Sequence, residues 1–150
     1  TGSIGGAVLD VWEHEPEIDL ELLNLVRLGT PHIAGYSTDG KANGTAMSVQ
    51  AVGRHFGVIE YTDWTPCSLP APERPLIRLD AALPEPEQLN AACRASYDIR
   101  FDDAQLRAAP ASFEHQRGNY RIRREPLAYR IEGGAPAVRT ALAKLGFRLA

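Results

Sequence analysis

Three side chains near the start of the sequence have types that could carry out acid–base chemistry: Asp10, Glu15 and His32. Imidazole is the natural proton acceptor near neutral pH. A carboxylate bonded to its other ring nitrogen would fix the tautomer and stabilise the imidazolium that forms. Glu15 can be that carboxylate if its turn lies beside the loop that carries His32. Each residue also has an ordinary interpretation as a turn or strand-end side chain, and His14 is a competing histidine.

Hydrophobic patterning, capping residues and glycines predict alternating strands and helices around these side chains. The predicted strands are residues 4–12, 26–28, 75–79, 128–132 and 147–149. The predicted helices are residues 20–25, 38–56, 85–96, 102–108, 111–117 and 135–145. The apolar run 4–12 is continuous, which is typical of a parallel strand covered on both faces. Asp10 near its end and His32 beyond the next strand would then share the sheet edge where ligands bind in open α/β sheets.

Composition and charge exclude several classes of protein. The chain has a net charge of −3, which argues against a nucleic-acid partner. No apolar run approaches the roughly 20 residues that span a membrane. Cys67 and Cys93 are far apart and match no metal or redox spacing, so we expect no metal and a reducing, cytoplasmic location.

Charge and proline content indicate a boundary near Gly57. Residues 1–57 contain three basic and seven acidic side chains, whereas residues 58–150 contain thirteen basic and twelve acidic ones. Residues 62–75 include four prolines and are predicted to form an extended linker. The second part would then be a small α/β unit of ordinary domain size.

The order of the candidate residues resembles the D-2-hydroxyacid dehydrogenase family. The chain contains Asp10-Val11-Trp12-Glu13-His14-Glu15-Pro16, and later Thr30-Pro31-His32-Ile33-Ala34-Gly35. The family shows an Asp-Val-x-x-x-Glu-Pro segment followed, at a similar separation, by Thr-Pro-His-x-x-Gly. Either segment alone would be a weak signal, but the two in order are specific.

The resemblance implies NAD as cofactor and a role for each residue. Asp10 would contact the nicotinamide end of NAD, and Gly35 would close over the cofactor. His32 would exchange a proton with the C2 oxygen of the substrate, and Glu15 would be its catalytic partner. Tyr36 would contact the substrate.

A narrower resemblance is to the branch of the family that oxidises a phosphorylated hydroxy acid, 4-phospho-D-erythronate, on the route to pyridoxal phosphate. Its marks are residues 34–37, 39–42 and 44–45. The implied fold is α/β. Residues 1–37 would be the C-terminal end of a doubly wound parallel-sheet NAD-binding domain, residues 38–57 a connecting helix, and residues 58–150 a small α/β dimerisation domain. We therefore expect a homodimer that binds neither nucleic acid nor membrane.

Other parts of such an enzyme are not found in the sequence. There is no Gly-x-Gly-x-x-Gly after a strand, no acidic ribose partner and no segment that matches the substrate-binding arginine of the family. We expect these before Thr1, which we interpret as a cut into a longer polypeptide, and we expect the chain alone to be inactive.

Two alternatives stay open at this point. The substrate could be 3-phosphoglycerate, glycerate or lactate, and residues 58–150 could be a regulatory or assembly module. Arg121, Arg123 and Arg124 could form a phosphate site, or lie on a solvated face or in ion pairs. Lys41 could approach an anionic substrate, or be an ordinary solvated lysine.

Overall fold

The computed structural model describes residues 4–150, so Thr1 lies outside the described residues. The chain divides into two compact units that interleave along the sequence. The first, here called the site unit, comprises the described residues up to Gly35 together with Tyr97–Arg121. The second unit comprises Tyr36–Ser96 and Ile122–Ala150.

The described residues combine α-helices with parallel strands, as the sequence predicts for an α/β chain. The strands are β1 (Val8–Leu9), β2 (Leu28–Gly29), β3 (Leu76–Leu79), β4 (Arg130–Gly133) and β5 (Arg148–Leu149). The α-helices are α1 (Leu20–Leu25), α2 (Thr38–Phe56), α3 (Glu85–Ser96), α4 (Ile99–Ala108), α5 (Phe113–Gly118) and α6 (Pro136–Lys144). Three 3₁₀ turns occupy Ile59–Tyr61, Pro110–Ser112 and Pro126–Ala128.

In the site unit, β1 and β2 pair in parallel, with Val8 opposite Leu28 and Leu9 opposite Gly29. Asp10 therefore follows one strand at the same edge where Thr30 follows the other. Both strands are much shorter than the predicted apolar run, and Val8 is 59% exposed. The continuous apolar pattern predicts that both faces of the first strand are buried. Among the described residues, nothing buries the side chain of Val8 in this way.

The core of the site unit combines side chains from distant parts of the sequence. It contains Trp12, Ile18, Leu23, Val26, Leu106 and Phe113. Polar contacts complete the packing. Arg107 donates hydrogen bonds to the backbone oxygens of Leu23 and Val26, at 2.7 and 3.0 Å. These carbonyls lie at the C-terminal end of α1, where the helix itself offers no donor.

Helix α4 begins earlier than the sequence predicted. Its N-cap is Asp98, whose carboxylate accepts a hydrogen bond from the Arg100 N–H, so the expected start at Asp102 is wrong. Asp102 is instead buried inside the helix, where it accepts hydrogen bonds from the Tyr120 hydroxyl at 2.9 Å and from Arg121 at 3.3 Å. Partners distant in sequence thus override the capping preference of this aspartate.

The second unit is a three-stranded parallel sheet in the order β3–β4–β5 with helices against one face. Alternate residues of β3 are buried, as expected for a sheet covered on one side. The core consists of Ile77, Leu79, Ala92, Tyr129, Ile131, Val138, Leu142 and Phe147. Among residues 4–150, no helix combines the length and hydrophobicity required to cross a bilayer.

Helix α2 agrees with its predicted bounds. The Ser37 hydroxyl accepts a hydrogen bond from the Gly40 N–H, which satisfies one free donor of the first turn. Gly57 ends the helix with φ of 68°, a left-handed conformation that glycine adopts without steric cost.

Candidate active site

The structure brings Glu15 and His32 into direct contact at the edge formed by the ends of β1 and β2. The Glu15 Oε2 atom lies 2.8 Å from Nδ1 of His32. The Glu15 side chain is 17% exposed and the His32 side chain 43% exposed, so the carboxylate lies beneath a ring that solvent can reach. This is the geometry that the sequence analysis required of the pair, while the catalytic roles of both residues stay predictions.

The second oxygen of Glu15 is also held. The backbone N–H of Trp12 donates a hydrogen bond to Oε1 at 2.8 Å. Partial burial opposes ionisation of Glu15, but the hydrogen bonds from His32 and the Trp12 N–H outweigh it and lower the pKa of Glu15 below its ordinary value. The carboxylate is therefore ionised near neutral pH and oriented at both oxygens.

His32 has an uncommon backbone conformation, with φ of 55°. For a residue with a Cβ, the left-handed region costs about 1–2 kcal/mol, so the surrounding contacts must stabilise it. Asp10 supplies them. Its Oδ1 accepts hydrogen bonds from the Thr30 hydroxyl and the Ile33 N–H, both at 2.7 Å, and its Oδ2 accepts one from the Ala34 N–H at 3.0 Å.

Asp10 thus holds the loop on both sides of His32. The predicted role of Asp10 is a contact with the nicotinamide end of NAD, and the sequence did not indicate that it also holds this loop. Thr30, whose hydroxyl bonds Asp10, was likewise not singled out as a site residue. The sequence signal that could have identified Thr30 as a site residue is its position directly before Pro31 and His32.

The remaining predicted residues lie close by in the sequence but in different surroundings. Gly35 is exposed, and a Cβ placed on it would meet no described heavy atom within 4 Å. Tyr36 belongs to the second unit, where the Lys41 ammonium lies 4.0 Å from its ring centroid. The cofactor role of Gly35 and the substrate role of Tyr36 stay predictions. His14 is exposed, and the contact with Glu15 is made by His32.

Two of the three candidate phosphate-binding arginines are in ion pairs. In the site unit, Arg121 donates to the buried Asp102 and its guanidinium lies 4.4 Å from the Phe101 ring centroid. In the second unit, Arg124 binds both oxygens of Asp39, at 2.8 and 3.0 Å. The sequence left open whether these arginines bind phosphate or form ion pairs, and for Arg121 and Arg124 the structure shows ion pairs.

Asp39 lies in the first turn of α2 and connects it to the segment before β4. Besides Arg124, the Glu125 N–H donates to its carboxylate at 2.9 Å. Partial burial raises the pKa of Asp39, but the hydrogen bonds from Arg124 and the Glu125 N–H outweigh burial and lower the pKa overall.

A known family model matches the chain over more than half its length. The family is described as domain of unknown function DUF3410, and the match covers residues 68–146. The chain belongs to this family. The family description itself states no activity.

Curated relatives extend the similarity over most of the chain. A protein of Bacteroides fragilis is 49% identical over 131 residues, which is 87% of this chain and 35% of the relative. Proteins of Pseudomonas putida and Cellvibrio japonicus are each 44% identical, over 93% and 94% of this chain and 39% and 40% of the relatives. All three are named erythronate-4-phosphate dehydrogenase. The chain thus spans between a third and two fifths of the length of these relatives.

Proposed function

We propose that the protein containing this chain is a cytoplasmic NAD-dependent dehydrogenase that oxidises 4-phospho-D-erythronate to 2-oxo-3-hydroxy-4-phosphobutanoate, a step in pyridoxal phosphate synthesis. The observation that carries the proposal is the contact of 2.8 Å between Glu15 and His32 at the carboxyl ends of two parallel strands. The names of the curated relatives support the choice of substrate.

In the proposed reaction, His32 is the general base. Its Nδ1 faces Glu15, which leaves Nε2 of this partly exposed ring to receive the proton of the C2 hydroxyl. The C2 hydroxyl oxygen would lose that proton to His32 and C2 itself would lose a hydride to the bound NAD, so that the C2–OH group becomes a ketone. Glu15 stabilises the imidazolium through the bond to Nδ1, because its lowered pKa keeps it anionic.

The described residues fit the nicotinamide end of NAD. A carboxylate has about four acceptor positions, and the described contacts of Asp10 use three of them. Asp10 can therefore accept one further hydrogen bond, such as one from a carboxamide N–H. When bound, NAD supplies the hydride acceptor. Gly35 presents open space, as needed where a ligand passes close to the backbone.

Subunit assembly is also part of the proposal. We infer that residues 58–150 mediate a homodimer and that the described parallel strands of the site unit belong to a doubly wound nucleotide-binding domain. Exposed apolar side chains support a protein–protein contact within residues 58–150. In the second unit they include Ile122, Leu127 and Leu145, each more than half exposed. Sedimentation of the chain over a range of concentrations tests this assignment, and a monomer at high micromolar concentration would exclude it.

A substrate panel on the intact protein tests the proposed reaction. We expect NADH formation with 4-phospho-D-erythronate at a kcat/KM at least about tenfold above that with 3-phosphoglycerate, glycerate or lactate, because a site built for one set of polar groups rejects analogues that leave those groups unpaired. Turnover that requires His32 but favours another hydroxy acid would support the proposed acid–base chemistry and refute 4-phospho-D-erythronate as the substrate. Absence of NAD reduction with every hydroxy acid would refute the proposed class.

A further inference from the structure

One buried residue contacts Glu15 directly and also contacts Thr30, in the loop that leads to His32. Trp12 is 6% exposed, and its backbone N–H donates to Oε1 of Glu15 at 2.8 Å. Its indole Nε1–H donates to the backbone oxygen of Thr30 at 2.9 Å. Both donors of this buried residue are thus bonded to neighbouring groups in the protein.

The Thr30 carbonyl connects the indole to His32. The backbone N–H of His32 donates to the same oxygen at 3.0 Å. A carbonyl oxygen has two lone pairs and can accept both hydrogen bonds. The indole of Trp12 and the amide of His32 therefore converge on one atom, two residues before the base.

The ring of Trp12 anchors these contacts in the core of the site unit. It is part of the same buried cluster as Leu23 and Phe113. The position of Glu15 and the path of the His32 loop are thus both tied to one rigid side chain. Misplacing reacting groups by about 1 Å can cost two orders of magnitude in rate, so such an anchor has kinetic consequences.

We propose that Trp12 is a positioning residue of the acid–base pair. It acts through Glu15 and the Thr30 carbonyl and touches neither substrate nor cofactor. Its effect on turnover rests on the proposed function, whereas its effect on the conformation of the His32 loop does not.

Trp12→Phe tests the indole hydrogen bond while retaining an aromatic ring and the backbone N–H. In the intact protein we expect kcat to fall about tenfold with the KM values for substrate and NAD changed less than about twofold, because the reacting groups are displaced and the binding contacts are kept. Trp64→Phe, the same change in the second unit, is the matched control and should leave kcat unchanged.

Amide hydrogen exchange, measured by NMR on the chain itself, tests the same idea without activity. Trp12→Phe should accelerate exchange of the His32 amide by about tenfold, since its acceptor is no longer fixed, while exchange of the Ile131 amide in the second unit stays as in the wild type. If the phenylalanine variant fails to fold, a benzothienylalanine at position 12 keeps the bicyclic shape and replaces only the N–H.

The two measurements distinguish a failure of the proposed function from a failure of the positioning role of Trp12. Faster exchange at His32 in a protein that lacks dehydrogenase activity would refute the proposed function and leave the positioning role in place. Exchange at His32 equal to that of the wild type, in a folded variant, would overturn the positioning role whatever the activity shows.

Discussion

Glu15→Gln in the intact protein measures what the carboxylate contributes to turnover. Glutamine keeps the size of the side chain and an acceptor for the Trp12 N–H, but removes the negative charge 2.8 Å from His32. A hydrogen bond to a charged group contributes about 1.5–3 kcal/mol. Because the His32 side chain is 43% exposed, solvent screens the pair and the lower end of this range applies.

A loss of about 1.5 kcal/mol in the transition state corresponds to a kcat roughly tenfold lower. The assay is steady-state NADH formation with saturating NAD, which separates kcat from KM. Since the pKa of Glu15 is lowered, the carboxylate is already ionised at the neutral pH of the assay, so the substitution removes a full negative charge. Glu17→Gln, the same change at an exposed position, is the control. A Glu15→Gln enzyme with kcat within about twofold of the control would refute the pairing argument.

Other contacts lead to three further expectations. His32→Ala should lower kcat of the intact protein by about 10²–10⁴, the usual contribution of a positioned base, whereas steady-state turnover of His14→Ala should match the wild type. Asp10→Ala removes the acceptor of three hydrogen bonds around His32 and should lower the free energy of unfolding of the chain by about 2–3 kcal/mol in a urea titration; an unchanged midpoint would show that the carboxylate does not hold the loop. Asp39→Asn breaks the ion pair with Arg124 and should cost about 2 kcal/mol at neutral pH. Because the folded-state pKa of Asp39 is lowered, its contribution is complete above the unfolded value of about 4 and is lost as the pH falls through the folded value. Equal losses from Asp39→Asn at about pH 7 and about pH 3 would contradict that reasoning.

Helices with strong local signals could be predicted from the sequence. Helix α2 has a serine that caps its first turn and a glycine suited to the left-handed conformation after its last turn, and both signals act within a few residues. The bounds of α2 agree with the prediction for this reason. The meeting of Glu15 with His32 was also predicted, but through the family motifs and not through periodicity.

The composition of the site unit could not be read from local signals. Residues 97–121 join it through contacts that span most of the chain, such as the hydrogen bond from the Gly29 N–H to Asp103 at 2.7 Å. No pattern near Asp103 indicates that partner. The predicted boundary at residue 58 therefore stays a prediction about the whole protein, since within this chain part of residues 58–150 belongs to the unit that contains the Glu15–His32 pair.

Backbone conformation explains the roles that sequence reasoning missed. With His32 in a left-handed conformation, the backbone N–H groups that follow it need hydrogen-bond acceptors. The Asp10 carboxylate accepts the hydrogen bonds from the N–H groups of Ile33 and Ala34. Residue types alone do not show such a conformation, because histidine, although enriched at positive φ, adopts it at only a minority of its positions. Asp10 consequently looked like a ligand contact only.

The tautomer of His32 tests the central claim most directly. If Glu15 accepts a hydrogen bond from the Nδ1–H group, the neutral imidazole of His32 must carry its hydrogen on Nδ1 and none on Nε2. The ¹⁵N chemical shifts of the two ring nitrogens measure this directly. Nε2 is then able to receive the substrate proton. A His32 whose neutral form carries its hydrogen on Nε2 would contradict the account, because that ring could neither donate to Glu15 nor act as the base at its exposed nitrogen.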